Sequence, residues 1–296
     1  MFETPSFGEL FYRTCLRGYE RMSSEAAECL RRAVTSQQGS GGLFCGRARQ
    51  EDLYYTFFGV LLTLVSNAKF RREECRQHVV ALDFATLDLV HGCAWLRVMA
   101  MLKLLALPQF ARQKAMMFRK LGISKTDLEK LRTLNELPDS AYPQRDKNSP
   151  YSRFLLGTLF ADFGQDVPKS DFSEYRLPSG LYANLKNHST FGVNATAAAL
   201  FLLPQDQCEK TADALAALQE QDGSFKATAS AQEGDLLSTA TAFFALRQCG
   251  KTPHVSTKPY LRECFRENGL FAATPDDPHG DLEYTVYGLL AMGCAA

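Results

Sequence analysis

The chain has 296 residues, 46% of them apolar, and its 33 basic and 33 acidic side chains leave a formal net charge of zero. That length supports one large domain or two small ones, and the charge balance excludes a generally basic nucleic-acid binder. No stretch offers 18 apolar residues free of charge, so no membrane span is expected.

In chain order, Met1–Met22 alternates charged and apolar residues and lacks both the apolar core and the cleavage site of a signal peptide. Ser23–Val34 gathers its charges on one side, as a helix with a solvent face requires. Gln37–Leu64 then joins a Gly turn, a polar loop, an acid (Asp52) and a run that is apolar all round. Ala81–Leu107 reads as another such run whose Gly-rich loop is lost, with Asp88 in the place of the acid. Pro138, Pro143 and Pro150 mark a polar linker, and Ser149–Gly164 is a further apolar run. Ser179–Leu203 restores the Gly-Leu-aromatic turn and has Thr196, but carries Gly192 where the acid would stand. Cys208–Gln219 and Lys258–Asn268 are amphipathic. Each leads into another copy of the phrase, Gln219–Leu246 around Asp235 and Glu267–Gly293 around Asp281.

Thr56, Thr239 and Thr285 each follow four residues after Asp52, Asp235 and Asp281. The turn glycines Gly180, Gly223 and Gly269 recur every ~45 residues, a period found in helical repeat arrays. Each unit then holds an amphipathic outer helix and an apolar inner one. An inner helix with no polar face must be buried on every side, so about six or seven of them must surround one another. Closing the array removes the exposed ends that an open solenoid would leave. The fold expected is all-α, a single α/α toroid over residues 1–296. The glycines supply positive φ after the outer helix, and each acid is placed to accept hydrogen bonds from the first-turn amides of the inner one. Nine cysteines, an odd number without a CxxC, are expected as reduced and mostly buried thiols in a cytoplasmic protein.

The phrases "GGLFCGRARQEDLYYTFFGVLLTL", "QDGSFKATASAQEGDLLSTATAFFAL" and "GLFAATPDDPHGDLEYTVYGLLAMG" resemble the prenyltransferase and squalene-cyclase (terpenoid cyclase) repeat family. The resemblance implies a toroid of helical hairpins whose central funnel holds an isoprenoid, and a helical protein partner of the kind that pairs with the family's β subunits. It bears on fold more than on chemistry. Members that transfer prenyl groups hold a catalytic zinc with Asp-x-Cys at one inner-helix start and a His at the next. Here Asp235 is followed by Leu237, Tyr284 stands at the His position, and the basic residues that hold diphosphate are missing before Asp235. Zinc is disfavoured and magnesium is left open. Class II cyclases protonate an alkene with the middle Asp of DxDDT. This chain has "DLEYT", with Glu283 at that place and Tyr284 at the next, and the plainer reading of Glu283 is a first-turn helix glutamate.

Asp88 and His91 lie on one helix face with Cys93 near; a capped helix with a funnel-facing histidine is the plainer reading than a metal site. "DDPHGD" (Asp276–Asp281) has an acid-rich look but reads as a solvated loop, with His279 exposed. The inner-helix starts gather Asp52, Asp88, Asp235 and Asp281 at one mouth, which would repel a diphosphate in the absence of a metal or clustered arginines. Aromatic residues (21 Phe and 11 Tyr) suit an isoprenoid-lined funnel as well as a core. The candidate catalytic residues are therefore Asp235, Asp281, Glu283 and Tyr284. The candidate substrate-binding residues are Asp52, Tyr55, Asp88 and His91. The expectation is a prenyltransferase- or terpene-cyclase-like protein with an apolar central pocket for an isoprenoid or other apolar small molecule, without nucleic acid or a membrane span. The alternative is a non-catalytic binding or scaffold protein that keeps the toroid and has lost the chemistry.

Overall fold

The computed structural model describes residues 5–112 and 124–295. Residues 1–4, 113–123 and 296, which the expected single domain includes, lie outside the described residues. The helices are α1 Phe7–Glu20, α2 Ser24–Ser36, α3 Leu53–Ser66, α4 Arg72–Ala81, α5 Leu89–Leu105, α6 Lys125–Asn135, α7 Pro150–Asp162, α8 Val193–Leu200, α9 Gln205–Ala216, α10 Leu236–Gln248, α11 Lys258–Cys264 and α12 Leu282–Cys294. Among the described residues there is no strand, and pairing of that kind is confined to isolated antiparallel bridges. The all-α expectation holds.

The apolar runs become helices α3, α5, α7, α8, α10 and α12. In α3 every residue from Phe58 to Ser66 is buried, whereas amphipathic α2 buries only Leu30, Ala33 and Val34. Each fully buried Leu, Val or Phe contributes roughly 1.5–3 kcal/mol, which is why these runs take the interior. Helix α3 packs on α5, α5 on α7, α7 on α8, α8 on α10 and α10 on α12, and α12 packs back on α3. Helices α2, α4, α9 and α11 lie against this set, and α6 touches α5 and α7. The inner helices start on the same side. Val193 at the head of α8 donates to Ala227 O (2.9 Å) in the next unit's loop, and Leu236 at the head of α10 donates to Ala273 O (2.8 Å) in the one after.

The repeated phrase is a device for joining a turn to a helix start. Gly42, Gly180, Gly223 and Gly269 have φ of 96°, 90°, 86° and 89°, a region costly for any residue with a Cβ. The threonine four residues after each cap is buried and bonds in two directions. Thr56, Thr196, Thr239 and Thr285 donate to the carbonyls of Asp52, Gly192, Asp235 and Asp281 and accept from the amides of Phe44, Tyr182, Phe225 and Phe271. The aromatic so anchored needs a small residue beneath it. A Cβ added at Gly59 or Gly288 would stand 2.2 Å from Phe44 Cγ or 2.5 Å from Phe271 Cγ.

Two features depart from the sequence reading. The helix expected over Lys258–Asn268 stops at Cys264, because Phe265 leaves to pair with Phe271 in an antiparallel bridge, their rings 5.0 Å apart. The N-terminal segment, read only as lacking a signal, forms α1, which packs on α12, α3 and α7. Its approach to α12 is backbone to backbone. A Cβ on Gly18 would stand 1.9 Å from Leu289 O, and one on Gly293 1.9 Å from Thr14 O. The nine cysteines are all free, with Cys15, Cys75, Cys93, Cys208, Cys264 and Cys294 buried. No helix among the described residues is long and apolar enough to cross a membrane.

Candidate functional site

The four acids read at the helix starts are all N-caps. Asp52 accepts from Tyr55 N (3.0 Å), Asp88 from His91 N (2.8 Å), Asp235 from Ser238 N (2.8 Å) and Asp281 from Tyr284 N (2.8 Å). Each satisfies an otherwise orphaned first-turn amide. Burial raises the pKa of Asp235, against the opposing bond from the Ser238 amide.

Two cations knit these caps together. His91 Nδ1 lies 2.8 Å from Asp88 Oδ1, and Nε2 lies 3.7 Å from Asp52 Oδ2. The Asp52 carboxylate, then Asp88, hold the imidazole up to about 9 against the effect of burial, and His91 in turn lowers the pKa of Asp52. The histidine is therefore an imidazolium tying α3 to α5, not a funnel-facing group. Cys93 turns the other way, its Sγ 4.0 Å from Leu155 O, so Asp88, His91 and Cys93 do not converge. Arg47 was not singled out from the sequence. It bonds Asp281 through Nε (2.5 Å) and Asp277 through Nη2 (2.8 Å), and lies 5.2 Å over the Tyr284 ring. Burial alone would lower its pKa, and the two carboxylates outweigh that and raise it. The loop read as solvated is so at Asp276, Pro278 and His279, whereas Asp277 and Asp281 are drawn into the pair with Arg47. Asp277 is held by Arg47 and by the amides of His279 and Ala273, while His279 itself is exposed.

Between the inner helices runs a cavity of about 530 Å³. That is within the ~300–1,000 Å³ of small-molecule sites. Its wall is aromatic and aliphatic: Phe57, Phe58 and Leu61 from α3, Phe154 from α7, Phe201 after α8, Phe244 from α10 and Leu290 from α12. Helix α1 supplies a further wall. Phe7 meets Phe154, Phe201 and Phe244 with centroids 5.0, 5.2 and 5.7 Å away, and Phe11 meets Phe244 at 5.7 Å. Polar groups enter the lining at a few places. Arg97 donates to Thr158 Oγ1 (2.8 Å) with Asp162 at 3.6 Å, and Thr241 donates to Asn194 Oδ1 (2.6 Å). Tyr54, Tyr151 and Tyr287 line it from α3, α7 and α12.

Of the candidate site residues, Asp52, Tyr55, Asp88, His91, Asp235, Asp281, Glu283 and Tyr284 all lie at the inner-helix starts, and none of the eight lines the cavity. Glu283 is linked to it through Tyr54, whose hydroxyl donates to Glu283 Oε1 at 2.6 Å. Burial raises Glu283 to about 6, the Tyr54 bond opposing. Burial, then the charge of Glu283, raises Tyr284 and Tyr151 to about 12. Tyr55 is also raised to about 12, by burial and then by Asp281 and Glu283. The positions that the resemblance assigns to zinc hold Asp235, Leu237 and Tyr284, which do not fit a zinc donor set. No group of three His, Cys, Asp or Glu side chains among the described residues is placed to hold a metal ion.

Sequence reasoning missed Arg47, Tyr54, Tyr151 and Tyr287. A signal existed for the tyrosines, since Tyr54 and Tyr151 each stand two residues after a cap. No protein-family model matches the chain, and no curated protein matches it significantly.

Proposed function

We propose that the chain is a single α/α toroid of the prenyltransferase and terpenoid-cyclase type, acting as a prenyltransferase- or terpene-cyclase-like protein whose lumen receives an isoprenoid. The observation that carries this reading is the aromatic-lined cavity of about 530 Å³ between helices α3, α5, α7, α8, α10 and α12, each packed on the next and the last on the first. An apolar chain in that space exchanges water for phenyl and aliphatic surface, worth roughly 25 cal/mol per Å². Tyr54, held by Glu283, is the polar group through which the helix-start cluster reaches the lumen.

A second reading, an isoprenoid-binding or scaffold protein without chemistry, is favoured by one observation. The carboxylates of Asp52, Asp88, Asp235 and Asp281 are each spent on a helix cap. In either case a helical protein partner belongs to the proposal by family likeness, and a cytoplasmic location by the nine free cysteines. The test is incubation of the full chain with labelled farnesyl diphosphate, geranylgeranyl diphosphate and squalene, with and without Mg²⁺ and Zn²⁺. A new product supports the transferase or cyclase reading. Retention of intact label supports the binding reading. Neither product nor retention of any of the three would refute both.

A further inference from the structure

Three tyrosines from three helices line the lumen, and one of them is bonded to a carboxyl just outside it. Tyr54 on α3, Tyr151 on α7 and Tyr287 on α12 all line the cavity. Tyr54 and Tyr287 both pack on the Phe58 ring, with centroids 5.0 and 6.0 Å from it, and Tyr151 enters the same cavity from α7. Their hydrogen-bonding states differ. The Tyr54 proton is committed to Glu283 Oε1, so its oxygen offers lone pairs to the cavity. The hydroxyls of Tyr151 and Tyr287 have no hydrogen-bond partner among the described residues, yet they are not sealed from the open space of the cavity. They are donors without an acceptor, and Tyr287 lies against the phenyl ring of Phe58.

The cations near this space are already engaged. Arg47 is held by Asp277 and Asp281, His91 by Asp52 and Asp88, Arg97 by Asp162 and Lys103 by Asp127. A diphosphate entering here would meet the Asp127 and Asp162 carboxylates in the wall and would have to take a cation from an existing partner. A pure hydrocarbon would leave the Tyr151 and Tyr287 donors unpaired. An alcohol has one hydrogen to give and an oxygen that accepts, which complements one committed tyrosine and two open ones.

Building on the isoprenoid-lumen reading, we propose that the ligand is a neutral isoprenoid alcohol, its hydroxyl donating to Tyr54 Oη and accepting from Tyr151 or Tyr287. The site then selects against the diphosphate ester of the same chain. The test is equilibrium dialysis of the full chain with three labelled probes that share one carbon skeleton: farnesol, the hydrocarbon farnesene and farnesyl diphosphate. It is repeated on Y54F and on the double variant Y151F/Y287F, with circular dichroism confirming the fold. Farnesol should bind about threefold to tenfold tighter than farnesene, the worth of one net hydrogen bond, and tighter than the diphosphate. Y151F/Y287F should erase that preference while leaving farnesene affinity in place, and Y54F should reduce it. If the diphosphate binds as tightly as the alcohol, or if the preference survives the double variant, the assignment is overturned while the lumen reading stands. If none of the three probes binds, the lumen reading falls and this assignment with it.

Discussion

Replacing Glu283 with Gln tests the electrostatics of the buried carboxyl behind Tyr54 without disturbing its shape. Glu283 titrates at about 6 instead of its ordinary 4.5, because burial disfavours the carboxylate. At about 1.36 kcal/mol per unit, keeping it ionised in the folded state costs at most about 2 kcal/mol. The native state binds the extra proton between pH 4.5 and 6, so this contribution favours folding below that window and is lost as pH rises through it. A Gln side chain stays neutral throughout, and its Oε1 still accepts from Tyr54. Urea denaturation at pH 4.5, 6 and 8 should therefore find E283Q level with the wild type at the lowest pH. At pH 8 it should be more stable by about 1–2 kcal/mol, the lower figure allowing for an amide N–H₂ left unpaired. A stability difference that does not change with pH, or a loss that grows toward pH 8, would refute the placement of an ionisable carboxyl in a desolvated position.

Gly293→Ala drives a methyl into Thr14 O across the α1–α12 contact, and should cost about 1–3 kcal/mol in thermal or urea unfolding, with early proteolysis of α1. Arg47→Ala leaves the Asp281 carboxylate, 6% exposed, without its cation at the junction of α3 and α12, and should cost about 2 kcal/mol of unfolding free energy. His91→Gln removes a group whose folded pKa is raised, so the loss should be full below pH 6.5 and should disappear as pH rises through about 9. Because His91 is partly exposed, the effect should be about 1 kcal/mol at pH 6, read from urea midpoints at pH 6 and 10.

The inner helices were legible because an all-apolar run has one physical solution, burial on every side, and because Asp52, Asp88, Asp235 and Asp281 sit where first-turn amides need an acceptor. The threonines were visible as a spacing, but their second bond, to the amide of the turn aromatic, depends on the chain folding back across the unit. Arg47 was not legible, since its partners Asp277 and Asp281 stand 230 and 234 residues away and meet it only when the last unit packs on the first. Helix α1 escaped for a related reason. Gly18 and Gly293 mean nothing apart, and become a close contact only with α12 in place. For the site, residue type pointed at the acids, because acids carry chemistry, whereas the lumen is lined by their neighbours. Tyr54, two residues from Asp52, is turned to another side of its helix, and Tyr287, four from Glu283, lies on the same face one turn deeper; both line the cavity.

The most direct test of the lumen as an isoprenoid site is photolabelling of the full chain with a diazirine-bearing farnesol, followed by mass-spectrometric mapping. The account predicts adducts on cavity residues such as Phe57, Phe154, Phe201 and Phe244, competed away by unlabelled farnesol. Adducts confined to the outer helices α2, α4 and α9, or labelling that excess farnesol does not reduce, would contradict it.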